Sequence, residues 1–96
     1  MINIINNFIK IDIQKDIGMR YANDLSREFN KLNSIMHIGK LNSRIVNGKS
    51  FVGLLSLGIV KGDNIKITLF NDNEYELQKE LDIVNSYFTK IFKIGK

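Results

Sequence analysis

The tetrapeptide Asn47-Gly48-Lys49-Ser50 ends like the loop with which many nucleotide-binding proteins hold phosphate groups. Such a loop wraps glycine-rich backbone around the phosphates, and it needs an earlier glycine at a fixed spacing. The residue at that spacing is Ser43, and the pattern lacks the long helix that should follow the loop. We therefore do not expect a nucleotide-binding loop here.

His37 is the single histidine of the chain, and such a residue can act as a general base or accept a phosphoryl group. It lies between Met36 and Ile38 in an alternating segment, and no carboxylate stands two positions away on either side. We therefore expect a half-exposed strand residue on the wet face of a sheet.

Two pairs of carboxylates, Asp12 with Asp16 and Glu76 with Glu80, are the remaining candidates for acid–base chemistry. Both pairs fall on segments whose polar sides should face water, so we interpret them as surface charges. With no cysteine and one histidine, the chain also lacks the ligands of an ordinary zinc centre. We expect neither a metal nor a cofactor.

Basic residues outnumber acidic ones by 14 to 10, and the net charge of +4 raises nucleic acid or a membrane surface as a partner. The 11 lysines are scattered singly from Lys10 to Lys96, and only Arg20, Arg27 and Arg44 could make bidentate phosphate contacts. We therefore expect no nucleic-acid partner.

The 96 residues suffice for one domain, and 44% apolar with 25% charged residues is typical of a globular protein. No apolar run approaches the ~20 residues of a membrane span, and the N-terminus lacks the order of a secretion signal. We expect one cytoplasmic domain over residues 1–96 without membrane insertion. Its core covers about residues 8–90, and residues 91–96 belong to a tail, beginning at Thr89, that can fray or extend the last helix.

Alternating apolar residues predict four strands, at residues 9–13, 36–39, 44–47 and 65–70. Helical spacing of apolar residues predicts one helix over residues 19–32, entered at Gly18, and another over residues 77–88. Asn73 and Glu76, before the last helix, resemble a capping box.

The segment over residues 50–58 fits a short helix or a strand by its apolarity alone. Ser50 can cap the first amides of a helix and Gly58 can adopt the left-handed conformation that ends one, so these two residues favour a helix. The order is then strand, helix, strand, strand, helix, strand, helix. This order predicts an α+β domain with the helices on one face of a mostly antiparallel sheet.

Residues 47–62 read NGKSFVGLLSLGIVKG and resemble the regulatory-serine segment of the HPr family, the small phosphocarrier proteins of the bacterial sugar phosphotransferase system. The family pattern in this segment is N-x-K-S-I-M-G-x-M-S-L-G-x-x-x-G. The resemblance extends over about residues 8–90 and implies an open-faced β-sandwich, in which a four-stranded sheet carries three helices on one face. It also implies a protein that is not a stand-alone enzyme.

The family accepts a phosphoryl group on a histidine in the motif G-[IL]-H-A-R-P-A, just before the first helix. The matching residues 16–22 read DIGMRYA, so Arg20 is kept while Gly18 stands at the histidine position and Tyr21 at the proline position. Glycine has no side chain to phosphorylate, so the resemblance implies loss of the phosphohistidine relay unless His37 substitutes. Arg20 and the free amides of the helix start are a candidate anion pocket, and a solvated charge is the simpler interpretation.

In the family, a dedicated HPr kinase/phosphorylase uses ATP to modify the serine that matches Ser50, and the modified protein is a corepressor for a catabolite-control transcription regulator. A phosphate at a helix start gains amide hydrogen bonds and favourable dipole energy, so this modification needs no refolding. We expect Phe51, Val52 and Leu55 to form an exposed docking patch. The alternative is that Ser50 is only a helix cap and that Phe51 and Leu54 belong to the core.

Some family members keep the serine and replace the histidine, usually by glutamine: the catabolite-repression HPr-like proteins of spore-forming bacteria. The resemblance therefore implies a regulatory protein-interaction module switched at Ser50. Two alternatives stay open: a phosphocarrier that passes a phosphoryl group from enzyme I to sugar transporters, and a scaffold that is never phosphorylated. The sequence leaves the oligomeric state and the identity of the partners open.

Overall fold

The computed structural model of the protein describes residues 6–93, which form four strands and three helices. In chain order these are β1 (Phe8–Asp12), α1 (Met19–Phe29), β2 (Ile35–Lys40), β3 (Ile45–Asn47), α2 (Phe51–Ser56), β4 (Asn64–Phe70) and α3 (Glu74–Lys93). The order of element types is the predicted one. No helix in the described range is long and apolar enough to cross a membrane.

The four strands form one antiparallel sheet in the order β1-β4-β2-β3. In the central strand β4, Ile65, Ile67 and Leu69 are fully buried, while Lys66 between them is exposed. Because side chains alternate along a strand, one face of the sheet joins the core and the other faces solvent. We call the solvent side the open face; its residues include Phe8, Lys10, Ile35, His37, Ile45, Lys66, Thr68 and Phe70.

The three helices cover the buried face of the sheet with apolar stripes. α3 buries Leu77, Leu81, Val84 and Phe88, at the spacing that predicted the helix. The ring of Phe29, at the end of α1, packs against the ring of Phe88 with their centroids 6.0 Å apart. The predicted α+β open-faced sandwich is therefore confirmed.

Both long helices end at positions that differ from the prediction. α1 ends at Phe29, and Leu32, which the apolar stripe assigned to the helix, is buried in the loop that follows. α3 continues beyond the apolar stripe over residues 77–88 and ends at Lys93, so the tail up to that residue extends the helix, which was one of the two alternatives, and Ile91 is buried in the core. Residues 94–96 lie outside the described part of the chain.

The predicted capping box at the start of α3 is half formed. The N–H of Glu76 donates to Oδ1 of Asn73 at 2.9 Å, as expected. The Glu76 carboxylate instead accepts from the side-chain amides of Asn71 and Asn33, at 2.9 and 2.6 Å. These two hydrogen bonds, with Asn71 first, hold the pKa of Glu76 below its ordinary value and tie α3 to the loops beside β4 and β2.

Glu80 is not the surface charge that the sequence suggested, because it is only 5% exposed. Its two carboxylate oxygens accept the backbone N–H groups of Asn33 and Ser34, at 2.9 and 3.0 Å. These donors satisfy a buried carboxylate that would otherwise be costly to remove from water. The sequence pattern missed this role because the donors lie 47 and 46 residues earlier in the chain.

Candidate functional site

The start of α1 is formed by Gly18, the N-cap residue, which confirms the predicted entry. Gly18 is exposed and extended, with φ −85° and ψ −166°, and its carbonyl accepts the N–H of Ala22 at 2.9 Å. Glycine offers no side-chain acceptor to the amides of the first turn. These amides can therefore donate to an anion at the positive end of the helix dipole.

Two hydrogen bonds fix this helix start against the segment that follows α2. The N–H of Ile17 donates to the carbonyl of Ile59 at 2.9 Å, and the N–H of Lys61 donates to Oδ1 of Asp16 at 2.8 Å. A Cβ atom at Gly18 would meet no atom within 4 Å. A side chain at this position would thus extend into open space from a backbone of defined position.

Asp63 holds the segment after α2 in place. Its carboxylate accepts the N–H of Val60 at 2.8 Å and lies 3.0 Å from Nζ of Lys40. The hydrogen bond from Val60, followed by the contact with Lys40, lowers the pKa of Asp63. Lys40 also donates to the carbonyl of Gly58, which has φ +59° and ends α2 in the predicted left-handed conformation.

Two cations lie close to one aromatic ring at the start of α1. Nζ of Lys15 lies 5.4 Å from the centroid of the Tyr21 ring, and Cζ of Arg20 lies 5.6 Å from it. Tyr21, at the proline position of the family motif, therefore attracts two cations to the first turn. Sequence reasoning did not find Lys15, because its distance from Tyr21 depends on the path of the intervening loop. The anion pocket at Arg20 stays a prediction.

Ser50 is the N-cap residue of α2, which confirms its predicted capping role. Its Oγ accepts the N–H of Gly53 at 3.0 Å, and its carbonyl accepts the N–H of Leu54 at 2.9 Å. A Cβ atom at Gly53 would lie 3.2 Å from both the Asn47 carbonyl oxygen and Cβ of Ser50. Glycine at this position thus gives the capping serine its space, and no acidic side chain lies in the first turn.

The loop before Ser50 is attached to the far end of α1. Nδ2 of Asn30 donates to the Lys49 carbonyl at 2.8 Å, and Nζ of Lys49 donates to the Leu32 carbonyl at 2.7 Å. Since the segment after α2 contacts the start of α1, the two helices run antiparallel. The structure therefore places Gly18 and Ser50 at opposite ends of the helix pair and does not bring them together.

The predicted docking patch beside Ser50 is less exposed than expected. Val52 is 72% exposed, whereas Phe51 and Leu55 are half-buried and pack against the core around the fully buried Leu54. Phe51 and Leu55 lie one helical turn apart on the side next to Leu54, so the core covers part of both. The apolar surface beside Ser50 is thus centred on Val52.

His37 lies on the open face of the sheet, away from both helix starts. It is exposed, as a residue of the wet face should be, and stands opposite Thr68 and Asn47 in the register. Its ring meets the ring of Phe70 edge-on, with centroids 4.9 Å apart. Among residues 6–93, no three His, Cys, Asp or Glu side chains are grouped so that they could hold a metal ion.

The protein is thus a small open-faced sandwich with two accessible helix starts, the exposed start of α1 and the start of α2 capped by Ser50. A sequence family described as "PTS HPr component phosphorylation site" matches residues 5–85. The phosphocarrier protein HPr of Neisseria meningitidis is 33% identical over 81 residues, which cover 81% of this chain and 90% of that protein. The chain belongs to the HPr family of the phosphotransferase system, whose members are phosphocarriers and not stand-alone enzymes.

Solved structures show the same fold. HPr-C-His from Thermoanaerobacter tengcongensis has a TM-score of 0.67 and 29% identity, and the match covers 85% of this chain and 94% of that one. The catabolite repression containing protein of Bacillus subtilis has a TM-score of 0.59 and 22% identity, with 91% of this chain and 95% of that one covered. At that identity the second likeness concerns the fold alone.

Proposed function

We propose that this HPr-family chain is a regulatory protein-interaction module that is switched by phosphorylation at Ser50. The observation that carries the proposal is the position of Ser50 Oγ, which caps α2 at 3.0 Å from the N–H of Gly53. This position supports the modification because a phosphate there would find an amide donor and the positive end of the helix.

The surroundings of Ser50 also favour a phosphate. Residues 51–56 of α2 carry no charged side chain, so no carboxylate of that helix would repel a group with about −1.5 to −2 charges. Val52, two positions further on, is the most exposed apolar side chain of the helix. A partner could therefore bind the phosphate and a neighbouring apolar side chain together, while the fold stays unchanged.

Gly18 supports the second half of the proposal, which is that the histidine relay is lost. The N-cap position of α1 is exposed and fixed in place, yet its residue has no side chain that could accept a phosphoryl group. His37 lies on the other side of the sheet from α1 and cannot take over at this helix start. Arg20, Lys15 and the first-turn amides would still favour an anion there.

The proposed partners follow from this switch: an HPr kinase/phosphorylase that modifies Ser50 and a transcription regulator that recognises the modified protein. The phosphocarrier function is the second candidate, because the relatives identified above are phosphocarriers. It would involve enzyme I and sugar transporter components as partners. An unmodified scaffold is the remaining alternative.

Intact-protein mass spectrometry after incubation with ATP and an HPr kinase/phosphorylase tests the proposal. We expect one phosphate on the wild-type protein and none on Ser50→Ala. Ser56→Ala is the matched control, because it removes an exposed hydroxyl from the same helix, and it should be modified like the wild type. If a kinase that modifies an ordinary HPr leaves this chain unmodified, the switch at Ser50 is wrong.

Incubation with enzyme I and phosphoenolpyruvate separates the two candidates. We expect the wild-type protein to take up no phosphate, since Gly18 offers no acceptor. Uptake by the wild-type protein would instead establish the phosphocarrier alternative, and a His37→Ala variant would show whether His37 is the acceptor.

A further inference from the structure

We propose that the open face of the sheet binds a polypeptide segment in which acidic and apolar side chains alternate. This surface lies on the opposite side of the sheet from α1 and α2, so the inference does not depend on the proposed switch at Ser50.

The open face and the turn beside it carry several exposed apolar side chains. Among the described residues, four of the nine exposed large apolar side chains lie on the open face or the adjoining turn. Ile35 and Phe70 stand opposite each other and are 62% and 43% exposed, while Ile45 on β3 is 67% exposed and Leu41 in the turn is 54% exposed. The four side chains thus form two groups, Ile35 with Phe70 and Ile45 with Leu41, on either side of His37 and Thr68, and exposed apolar groups on one face are a feature of protein contact sites.

A cavity of about 180 Å³ lies beside Ile45 and Leu41. Gly39 lies along it without a side chain, while Ile45, Leu41 and Thr68 form part of the lining. The space suits one apolar side chain of a bound segment. Lys66 also lines the cavity and places a cation beside it.

The charge on this face identifies the partner as acidic. Lys10 and Lys66 are directly opposite in the β1–β4 register, and among residues 6–93 neither forms an ion pair. Like charges directly opposite on a sheet are destabilising, so a bound carboxylate would relieve this repulsion. The Lys66 ammonium lies 4.4 Å from the Phe8 ring centroid, and the carboxylate of Asp12 on this face accepts from the Asn64 side chain.

Two other occupants fit the surface less well. A second copy of the chain would add another Lys10 and Lys66 to the repulsion and carries the same net charge of +4. The open face has aromatic rings on which bases could stack, but a single-stranded nucleic acid also needs a groove with more phosphate-binding cations than two lysines. Arg44 does not add one, because its guanidinium donates to the Ser56 carbonyl on the helix side.

A fluorescence-anisotropy titration tests the proposal with a short labelled peptide that alternates aspartate with isoleucine and phenylalanine. We expect saturable binding that weakens roughly tenfold in Lys66→Glu. Lys90→Glu makes the same change of charge on the exposed side of α3 and should bind like the wild type. When the same peptide is titrated and followed by ¹H–¹⁵N NMR, the amide signals that change chemical shift should be those of β2, β3 and β4 around Gly39.

Other probes define the outcomes that would overturn the proposal. Equal binding of a peptide with lysine in place of aspartate would show that charge does not select the ligand. Tighter binding of a labelled oligouridylate would identify nucleic acid as the occupant. Amide shifts confined to α1 and α2, or no binding at millimolar peptide, would likewise refute a site on the open face.

Discussion

Replacement of Ser50 by alanine measures the capping role that the proposed switch depends on. The substitution removes the Oγ that accepts the N–H of Gly53 and leaves that amide without its side-chain partner. Loss of such a cap costs about 1 kcal/mol of unfolding free energy. For a domain of this size, that change lowers Tm by roughly 4–8 °C.

Ser50→Asp should behave differently, because a carboxylate keeps the acceptor and adds a negative charge. That charge at the start of α2 contributes about 0.3–1 kcal/mol through the helix dipole at low salt, so Ser50→Asp should be at least as stable as the wild type. The gain should shrink in high salt, because salt screens exposed charges. The free energy of unfolding should therefore decrease in the order Ser50→Asp, wild type, Ser50→Ala.

Thermal and urea unfolding, followed by circular dichroism, check this order. Ser56→Ala is the matched control: its Oγ donates to the Gly53 carbonyl within the helix, where alanine is well tolerated, so its Tm should not fall. A Ser50→Ala variant as stable as the wild type would show that Oγ does not cap α2 in solution. A Ser50→Asp variant less stable than Ser50→Ala would refute the claim that this helix start favours negative charge.

Three further predictions concern other positions. Gly18→His should change the free energy of unfolding by no more than about 0.5 kcal/mol, because a Cβ atom at this position meets no atom within 4 Å. With enzyme I and phosphoenolpyruvate, this variant should take up a phosphate that the wild-type protein does not take up. Glu80→Gln should lower the free energy of unfolding, measured in urea, by about 2 kcal/mol, because the two backbone N–H groups bind different oxygens and glutamine places an NH₂ group against one of them. An unchanged urea midpoint would contradict the buried contact. The pKa of Glu76 is lower in the folded protein than its ordinary value of 4.5, so the ionised carboxylate stabilises the fold at pH values above 4.5. This contribution is lost as the pH falls through the pKa of the folded state. Glu76→Gln should therefore reduce the loss of Tm on acidification, and an identical pH profile would rule out this contribution.

The features that the sequence predicted depend on residues close together in the chain. Alternation predicted the strands, and Ser50 and Gly58 predicted both ends of α2, because a cap and a left-handed turn act over a few residues. Gly18 was correctly placed at the entry of α1 for the same reason.

The features that the sequence missed depend on distant residues. Glu80 was misread because its donors, Asn33 and Ser34, lie on a loop that the sheet brings against α3. Lys10 and Lys66 looked like two isolated charges until the register placed them opposite each other. The half-buried state of Phe51 likewise depends on how α2 lies on the core, which periodicity over so short a helix does not determine.

The strand order β1-β4-β2-β3 has a consequence for how the chain is made. Among residues 6–93, β1 pairs with β4 alone, so the ladder that places Lys10 opposite Lys66 cannot form before β4 has been synthesised. During synthesis, a nascent chain that ends before β4 leaves both β1 and the inner edge of β2 without their neighbour. The entropy of closing the loop between β1 and β4 must be lost before their pairing contributes stability, so a nascent chain can complete its sheet only after β4 has been synthesised.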